Sequence, residues 1–599
     1  MSAKFVSERN LSFLLYVVFN AASLTEYPYF EDHSRENFDM VIQTAARMAQ
    51  TLILPHFKEM DRNPPVLENG RICVHPCVRP FLQACGEGGW IAAGSAFEVG
   101  GQQLPQMVTS ACSFIWAGAN YSASVYPMLT SGAAHLIESF GSDELKQIYI
   151  PKMYSGQWQG TMALTEPQAG SSLADITTSA EPKPDGSYLI RGQKIFISAS
   201  DHDAVENIVH LMLAKIKGGP PGIKGISLFV VPRERIGEDQ SLVPNDVHIA
   251  GIFHKMGYRG CPIAQLNLGE NNDCLGWLVG EPHKGLSYMF QMMNQARIEV
   301  GIGAAAIASA AYHASLDYAL TRPQGRKINN KNPASPQVMI IEHADVKRML
   351  LFQRSIVEGA LSLLMQCAQY YDMRRSPCAE TREKASLLLE LLTPVAKSYP
   401  SEMGILSVSA ALQCLGGYGY CDEFPVEQHY RDMRIHAIHE GTTGIHGLDL
   451  LGRKVVMENG RGFRLFVGEL ETAIKDGSEH EALQKYCDLL EEALQTLQRV
   501  TGRLVEVALK GDVEIFLADA TLYLELFGII AVAWQWLKQG IAAEKSIPTA
   551  SSSRDKDFYA GKLQTMKYFF HYELPKIFSL EKRLMECDGF TTGTLRGIS

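Results

Sequence analysis

The spacing of apolar residues changes twice along the chain. From residue 37 to about residue 159 they recur three and four apart. "MVIQTAARMAQTLILPHFKEMD" and "ACSFIWAGANYSASVYPMLTSGAAHLIESFG" each read as helix, with interruptions at Pro55 and Pro127. Near Gln159 the period shortens. "YLIRGQKIFISAS", "NIVHLMLAKI", "GISLFVVPRERI" and "IAQLNLG" are short, β-rich and separated by Gly, Pro and Asp, which predicts an antiparallel β-domain to about residue 280. A parallel crossover sheet would need a helix between strands, and none is visible. Helical spacing returns at Gly285 and runs to about residue 460. It continues in "HEALQKYCDLLEEALQTLQRVTGRLVEVALKG" and "DATLYLELFGIIAVAWQWLKQGIAAEK", and "SSSRDKD" (Ser551 to Asp557) reads as an exposed loop before one last helix. The predicted divisions are residues 1–159, helical; 160–280, β; 281–460, helical; and 461–599, an appended helical domain.

A chain of 599 residues exceeds one hydrophobic core, so two to four domains are expected. Apolar content of 46% with 20% charged residues is ordinary for a soluble globular protein. The formal charge of -10 argues against a nucleic-acid partner, though a local basic patch or helix N-terminus can still hold an anionic ligand. The twelve cysteines form no CxxC pair, which predicts reduced thiols in a cytosol-like compartment. "LSFLLYVVFNAASL" follows Lys4 and Arg9 near the N-terminus, but its dense apolar part ends at Phe19, too short for a bilayer. Glu26, Asp32 and Glu36 follow with no secretory cleavage pattern, so a docked amphipathic helix is expected. The expected location is cytoplasmic, peripheral to a membrane at most.

One stretch concentrates titratable groups. Between Phe424 and Leu450, His429, His436, His439 and His446 surround a single carboxylate, Glu440, followed by Gly441, Thr442 and Thr443. Zincin chemistry needs HExxH or the inverted HxxEH; His436-x-x-His439-Glu440 is neither, so no metal is expected. GxSxG is absent, and no cysteine has the surroundings of a nucleophile. "GIGAAA" (Gly301 to Ala306) fits a loose dinucleotide fingerprint but lies inside one long helical run, where small residues make a face for close packing. "MALTEPQAGSSLADI" (Met162 to Ile176) lies where helices give way to strands. Thr165, Gly170, Ser171 and Ser172 there supply hydroxyls and close backbone approach, suited to a flat polar ring or a phosphate; alone, the loop reads rather as an ordinary Gly/Ser turn.

Taken in order, "LTEPQAGSS", "GQKIFIS", "HKMGYRG", "QARIEVG", "RPQGR", "QCLGGYGY" and "PVEQHYRDMRIHAIHEGTT" form a series that resembles the acyl-CoA dehydrogenase family over residues 37 to 455. The appended segment is similar to that of the large subgroup with an extra C-terminal helical domain, which includes 3-methylmercaptopropionyl-CoA dehydrogenases and bacterial broad-range fatty acyl-CoA dehydrogenases. The resemblance implies an α+β multidomain fold: an N-terminal helical domain, a central antiparallel β-domain, a C-terminal four-helix bundle carrying the catalytic base, and the appended helical domain. It implies FAD as cofactor, an acyl-CoA substrate, an electron-transferring flavoprotein as acceptor, and a homodimer.

Carried over residue by residue, the resemblance places Met162, Leu164 and Thr165 along the flavin ring, with Gly170 and Ser171 beside them and Phe196 and Ser198 on the following strand. Phe196 stands where relatives have Trp, and Ser172 where they have an acid. Arg322 and Gln324, with Gln413, Gly416 and Gly417, would serve the FAD of a neighbouring subunit. Thr442 and Thr443 would hold cofactor, and Ser171, Arg297 and Gly441 would contact substrate. Glu440 is then the base. Some relatives carry the base directly before the matching arginine, but Ala296 occupies that position and cannot accept a proton. His439 fills a slot that is Tyr in many relatives, and Gly444 one that is often Gln. The implied reaction is α,β-dehydrogenation of the thioester to trans-2-enoyl-CoA, with hydride passing to flavin N5. The runner-up activity is an acyl-CoA oxidase using oxygen. A non-catalytic scaffold ranks third, because Glu440 is intact.

Overall fold

The computed structural model describes residues 4–330 and 332–594, without the side chains of 291–293. The chain forms two compact units, Glu36–Ala296 and Met1–Arg35 with Arg297–Ser599. The division falls inside one helix.

In the unit Glu36–Ala296, the longest helix is α1 (Gln106–Phe140), apolar on nearly every face and buried along most of its length. Its break is not at Pro127, which stays inside the helix, but at Asn120 (φ -164°, ψ 97°). The Asn120 amide replaces helix hydrogen bonds there: Nδ2 donates to the Ile53 carbonyl at 3.1 Å, and Oδ1 accepts from the Ala123 N–H at 3.3 Å.

An eight-stranded sheet follows, made of β1 (Trp158–Ala163), β2 (Ser179–Pro182), β3 (Tyr188–Ser198), β4 (Asn207–Ile216), β5 (Ile226–Pro232), β6 (Val247–Ile252), β7 (Ile263–Leu268) and β8 (Leu275–Val279). Its order is β6-β7-β3-β8-β5-β4-β1, with β2 beside β3 and β4. Pairing is antiparallel as expected except at β1/β4 and β2/β4, which are parallel. The chain between β1 and β4 passes through β2 and β3, so strands take the place of the crossover helix. Ile190, Ile197, Met212, Phe229, Val231 and Leu266 centre the sheet's core. The β3/β7 register shifts between Ala264 and Leu266, beside a stretch of β3 where Phe196 has φ +57°.

In the other unit, the N-terminal helix is docked as expected: it buries Leu11, Phe13, Leu14 and Leu15. The end of α2 (Gly285–Thr321) packs with α3 (Ala344–Met373), α4 (Ala379–Leu415) and the short α5 (Thr443–Asp449). "GIGAAA" lies within α2, and a Cβ built on Gly301 would stand 2.2 Å from the Ala396 carbonyl of α4, so the glycine serves helix packing. The appended segment supplies α6 (Met457–Ser478), α7 (Gln484–Leu509), α8 (Ala520–Ser546) and α9 (Ser553–Tyr568). Residues 553–557 are not a loop but the first turn of α9, because Ser552 caps it by accepting from the Asp555 N–H at 3.1 Å. A further helix, Ile577–Glu586, follows.

By length and composition α8 could cross a membrane, yet 83% of its apolar window is buried. Trp536 Nε1 donates to the Ser355 carbonyl at 3.0 Å and Ser362 Oγ to Gln535 Oε1 at 2.8 Å, tying α8 to α3. Fully buried Lys562 on α9 donates to Glu358 (2.7 Å), Gln539 (2.9 Å) and Asn10, joining N-terminal helix, bundle and appended domain. None of the twelve cysteines forms a disulfide.

Candidate active site

Glu440 stands on a turn between the 3-10 turn Arg434–Ala437 and α5. Both Glu440 (φ 53°) and Gly441 (φ 89°) are left-handed. For a residue with a side chain that conformation costs about 1–2 kcal/mol, and such strain collects at functional sites. Three side chains hold the turn. His446 Nε2 donates to the Glu440 carbonyl at 3.1 Å, Lys397 Nζ donates to the Gly441 carbonyl at 2.7 Å, and Thr442 Oγ1 caps α5 by accepting from the Ile445 N–H at 3.4 Å. The Thr443 hydroxyl donates a hydrogen bond to the Glu402 carboxylate.

The Glu440 carboxylate and its own N–H have no hydrogen-bond partner among the described residues. Burial pushes the carboxyl pKa up, and the nearby charges of Arg297 and Lys397 pull against that rise. Arg297 is itself buried; its Nη1 donates to Asp449 Oδ2 at 2.9 Å, while its Nε has no partner. Burial also lowers Lys397 to about 8.

Burial favours the neutral form of the histidines in this stretch of sequence. Burial takes His429, His436 and His446 down to about 3 and His439 well below its usual value. His436 and His439 pack edge to face at 5.2 Å. A group with metal-like proximity lies elsewhere, at His56, Glu59 and His75. There His75 Nδ1 accepts from the Cys77 N–H at 3.2 Å, which leaves the proton on Nε2, facing Glu59 at 3.4 Å. A metal would need that lone pair, so the trio is a carboxylate between two imidazoles.

The loop after β1 is built around a buried ion pair. Glu166 Oε1 accepts from Lys194 Nζ at 2.8 Å, and both side chains are essentially inaccessible. Glu166 also accepts from the N–H groups of Thr177 (2.6 Å) and Thr178 (3.1 Å) and from Gln168 (2.9 Å). Burial would raise Glu166, but Lys194 and these donors outweigh it and hold the carboxyl at about 2. Lys194 reaches the Leu164 carbonyl as well (3.1 Å), and the Ile195 N–H donates to the Thr165 carbonyl (2.9 Å). Met162, Leu164 and Thr165 are thereby fixed beside Phe196 and Ser198.

Gly170, Ser171 and Ser172 are exposed, and Ser172 spends its hydroxyl on Asp175. Phe196 is 56% exposed, against Phe253 at 4.7 Å, held out by its left-handed backbone. Sequence reasoning missed Lys194, Lys397 and His446. For Lys397 a signal existed: a lone lysine in the apolar run "LLTPVAKSYP".

In the unit that holds Glu440, the structure brings the arginine motif and the glycine loop together. The Arg322 guanidinium lies 5.8 Å from the Tyr418 ring. The Gln324 carbonyl accepts from His343 Nε2 at 2.8 Å beside the turn at Gly325 (φ 67°). Helix α4 ends at Gly416 (φ 60°, ψ -138°), a conformation almost confined to glycine. A Cβ on Gly416 or Gly417 would meet nothing, and Gln413 is exposed beside them, so this backbone is open to a ligand. Met162 to Ser198 and Arg297 to Thr443 fall in different units.

Residues 35–157, 161–270 and 283–455 match the acyl-CoA dehydrogenase N-terminal, middle and C-terminal domains, and residues 466–592 match the acetyl-CoA dehydrogenase C-terminal-like domain. The chain is 34% identical over 590 residues to the 3-methylmercaptopropionyl-CoA dehydrogenase of Ruegeria pomeroyi, covering 97% of this chain and 98% of that one. The chain belongs to the acyl-CoA dehydrogenase family. It is an oxidoreductase of the large acyl-CoA dehydrogenase subgroup with the extra C-terminal domain. The broad-specificity linear acyl-CoA dehydrogenase FadE5 of Mycobacterium tuberculosis is 30% identical over 603 residues, 97% of this chain and 98% of that one. The fold matches the crystal structure of Caenorhabditis elegans ACDH-11 in complex with C11-CoA at a TM-score of 0.76 and 20% identity, covering 95% and 94% of the two chains.

Proposed function

We propose that the chain oxidises an acyl-CoA thioester to the trans-2-enoyl-CoA, with Glu440 taking the α-proton and FAD as the bound oxidant. The observation that carries this reading is Glu440 itself: a carboxylate raised by burial, unbonded to the described chain, on a strained turn between Arg297 and Lys397. A raised pKa makes the carboxylate a stronger base for a weakly acidic α-proton. The free Glu440 N–H is a donor for the thioester oxygen, where negative charge develops as the proton leaves. Ala296 cannot replace Glu440. The names of the relatives, which act on 3-methylmercaptopropionyl-CoA and on linear acyl-CoAs, support a CoA thioester as substrate.

The residues present fit FAD. Phe196 offers an exposed aromatic face, and Met162, Leu164, Thr165, Gly170, Ser171 and Ser198 offer backbone and hydroxyls suited to a flavin ring. FAD, when bound, supplies the acceptor for the β-hydride. Arg322, Gln324, Gln413, Gly416 and Gly417 form the open surface for the FAD of a second subunit. Thr442 and Thr443 serve cofactor, although the Thr443 hydroxyl must first leave Glu402. Ser171, Arg297 and Gly441 face substrate, and Arg297, already bonded to Asp449, acts mainly through its charge. Electrons leave to an electron-transferring flavoprotein.

The test is the visible spectrum of the purified protein and its products with a panel of acyl-CoAs and an artificial acceptor. Stoichiometric FAD and enoyl-CoA formation support the reading. Colourless protein would overturn it, and steady peroxide formation without added acceptor would make it an oxidase.

A further inference from the structure

We propose that His446 and Lys397 are positioning residues for the base: they clamp the successive carbonyls of Glu440 and Gly441 and so fix the left-handed turn that presents the Glu440 carboxylate. The inference rests on Glu440 acting as that base. Two consecutive positive φ angles, 53° and 89°, make a turn that does not hold itself. Neither carbonyl accepts a backbone hydrogen bond among the described residues. Each is taken instead by one side chain from a different helix: the Glu440 carbonyl by His446 of α5 at 3.1 Å, the Gly441 carbonyl by Lys397 of α4 at 2.7 Å.

A carbonyl only accepts, so His446 Nε2 carries the ring proton. Its buried Nδ1 has no partner among the described residues, so the ring's hydrogen bonding is directed through Nε2 at the backbone of Glu440 and Gly441. The ring also packs onto the turn: a Cβ on Gly441 would come within 2.9 Å of Nε2. Lys397 is wholly inaccessible, an expensive place for an ammonium group unless it has work there.

The two residues divide the work. Lys397 adds a positive charge near Glu440, beside that of Arg297, and also feels Glu402. Burial holds His446 in its neutral form, so it contributes geometry rather than charge. Substitutions at the two positions therefore separate orientation from charge.

The experiment compares full-length, FAD-loaded wild type with Glu440→Gln, His446→Met, His446→Gln and Lys397→Met, measuring FAD content, KM, and kcat across pH. His446→Met is expected to lose about 10²-fold in kcat, the scale of a misplaced catalytic group, with KM and FAD content little changed. His446→Gln, whose amide can donate to the same carbonyl, recovers most of the loss. The acidic limb of the kcat/KM profile stays in place in the His446 variants. It moves to higher pH in Lys397→Met, where Glu440 loses a neighbouring cation.

Near-wild-type kcat in His446→Met, or a Gln variant no better than Met, overturns the proposal. If His446→Met does not fold, Lys397→Met decides: an unchanged kcat with an unmoved acidic limb also overturns it. An active Glu440→Gln would instead mean that the base itself lies elsewhere. An inactive Glu440→Gln beside a normal His446→Met removes the clamp and leaves the base.

Discussion

Two opposed effects meet at Glu440. Burial favours the protonated carboxyl, and Arg297 and Lys397 favour the carboxylate; burial wins. If Glu440 is the base it works deprotonated, so activity should rise with pH through the raised pKa and fall as pH drops through it. The acidic limb of kcat/KM should therefore lie above the ordinary glutamate value of about 4.3, and a limb at or below that value would contradict the assignment. The buried Glu166–Lys194 pair makes a second prediction. Removing one partner strands a charge, so Lys194→Met should destabilise the fold by about 3 kcal/mol and loosen the loop from Leu164 to Ser172. A lowered melting temperature together with a lower flavin-to-protein absorbance ratio checks it. Glu440 could be singled out in the sequence as the candidate base because Glu-Gly-Thr-Thr is contiguous. Lys194, Lys397 and His446 were not assigned, because their roles depend on which backbone carbonyl or carboxylate the fold brings to them. For Lys397 the partner carbonyl is 44 residues away.

Periodicity carried well to elements whose packing follows from their own pattern. The four quoted β-rich stretches are β3, β4, β5 and β7, and "GIGAAA" is a packing face because its small residues recur at helical spacing. Gly301→Ala should thus destabilise by about 1–3 kcal/mol, since its methyl would strike the Ala396 backbone, which cannot rotate away as a side chain can. Chemical denaturation of the variant measures this, and unchanged stability would mean that α2 and α4 are packed differently. The pattern failed where one side chain competed with backbone. Asn120 rather than Pro127 breaks α1, because its amide finds Ile53 and Ala123. Ser552 turns an apparent loop into the first turn of α9. The parallel β1/β4 pairing was invisible because strands, not a helix, make the connection.

For the chain as a whole, the appended segment is part of the helical core. The apolar run from Tyr523 to Leu537 is buried, and α8 bonds to α3 through Trp536 and Gln535. Truncation after residue 460 would bare that core, so the shortened chain should be insoluble or inactive; a soluble, active fragment would contradict this. Arg322 tests assembly. If it serves a second subunit's FAD in a homodimer, Arg322→Ala should lose flavin progressively on dilution, followed by absorbance after gel filtration, and a variant that stays yellow when dilute would refute the role. The central claim, that Glu440 removes the α-proton, is tested most directly by anaerobic mixing of FAD-loaded protein with saturating acyl-CoA while the visible flavin absorbance is followed. Wild type should bleach rapidly with at least one member of an acyl-CoA panel. Glu440→Gln, still yellow and still binding acyl-CoA, should bleach several orders of magnitude more slowly; bleaching at the wild-type rate would contradict the account.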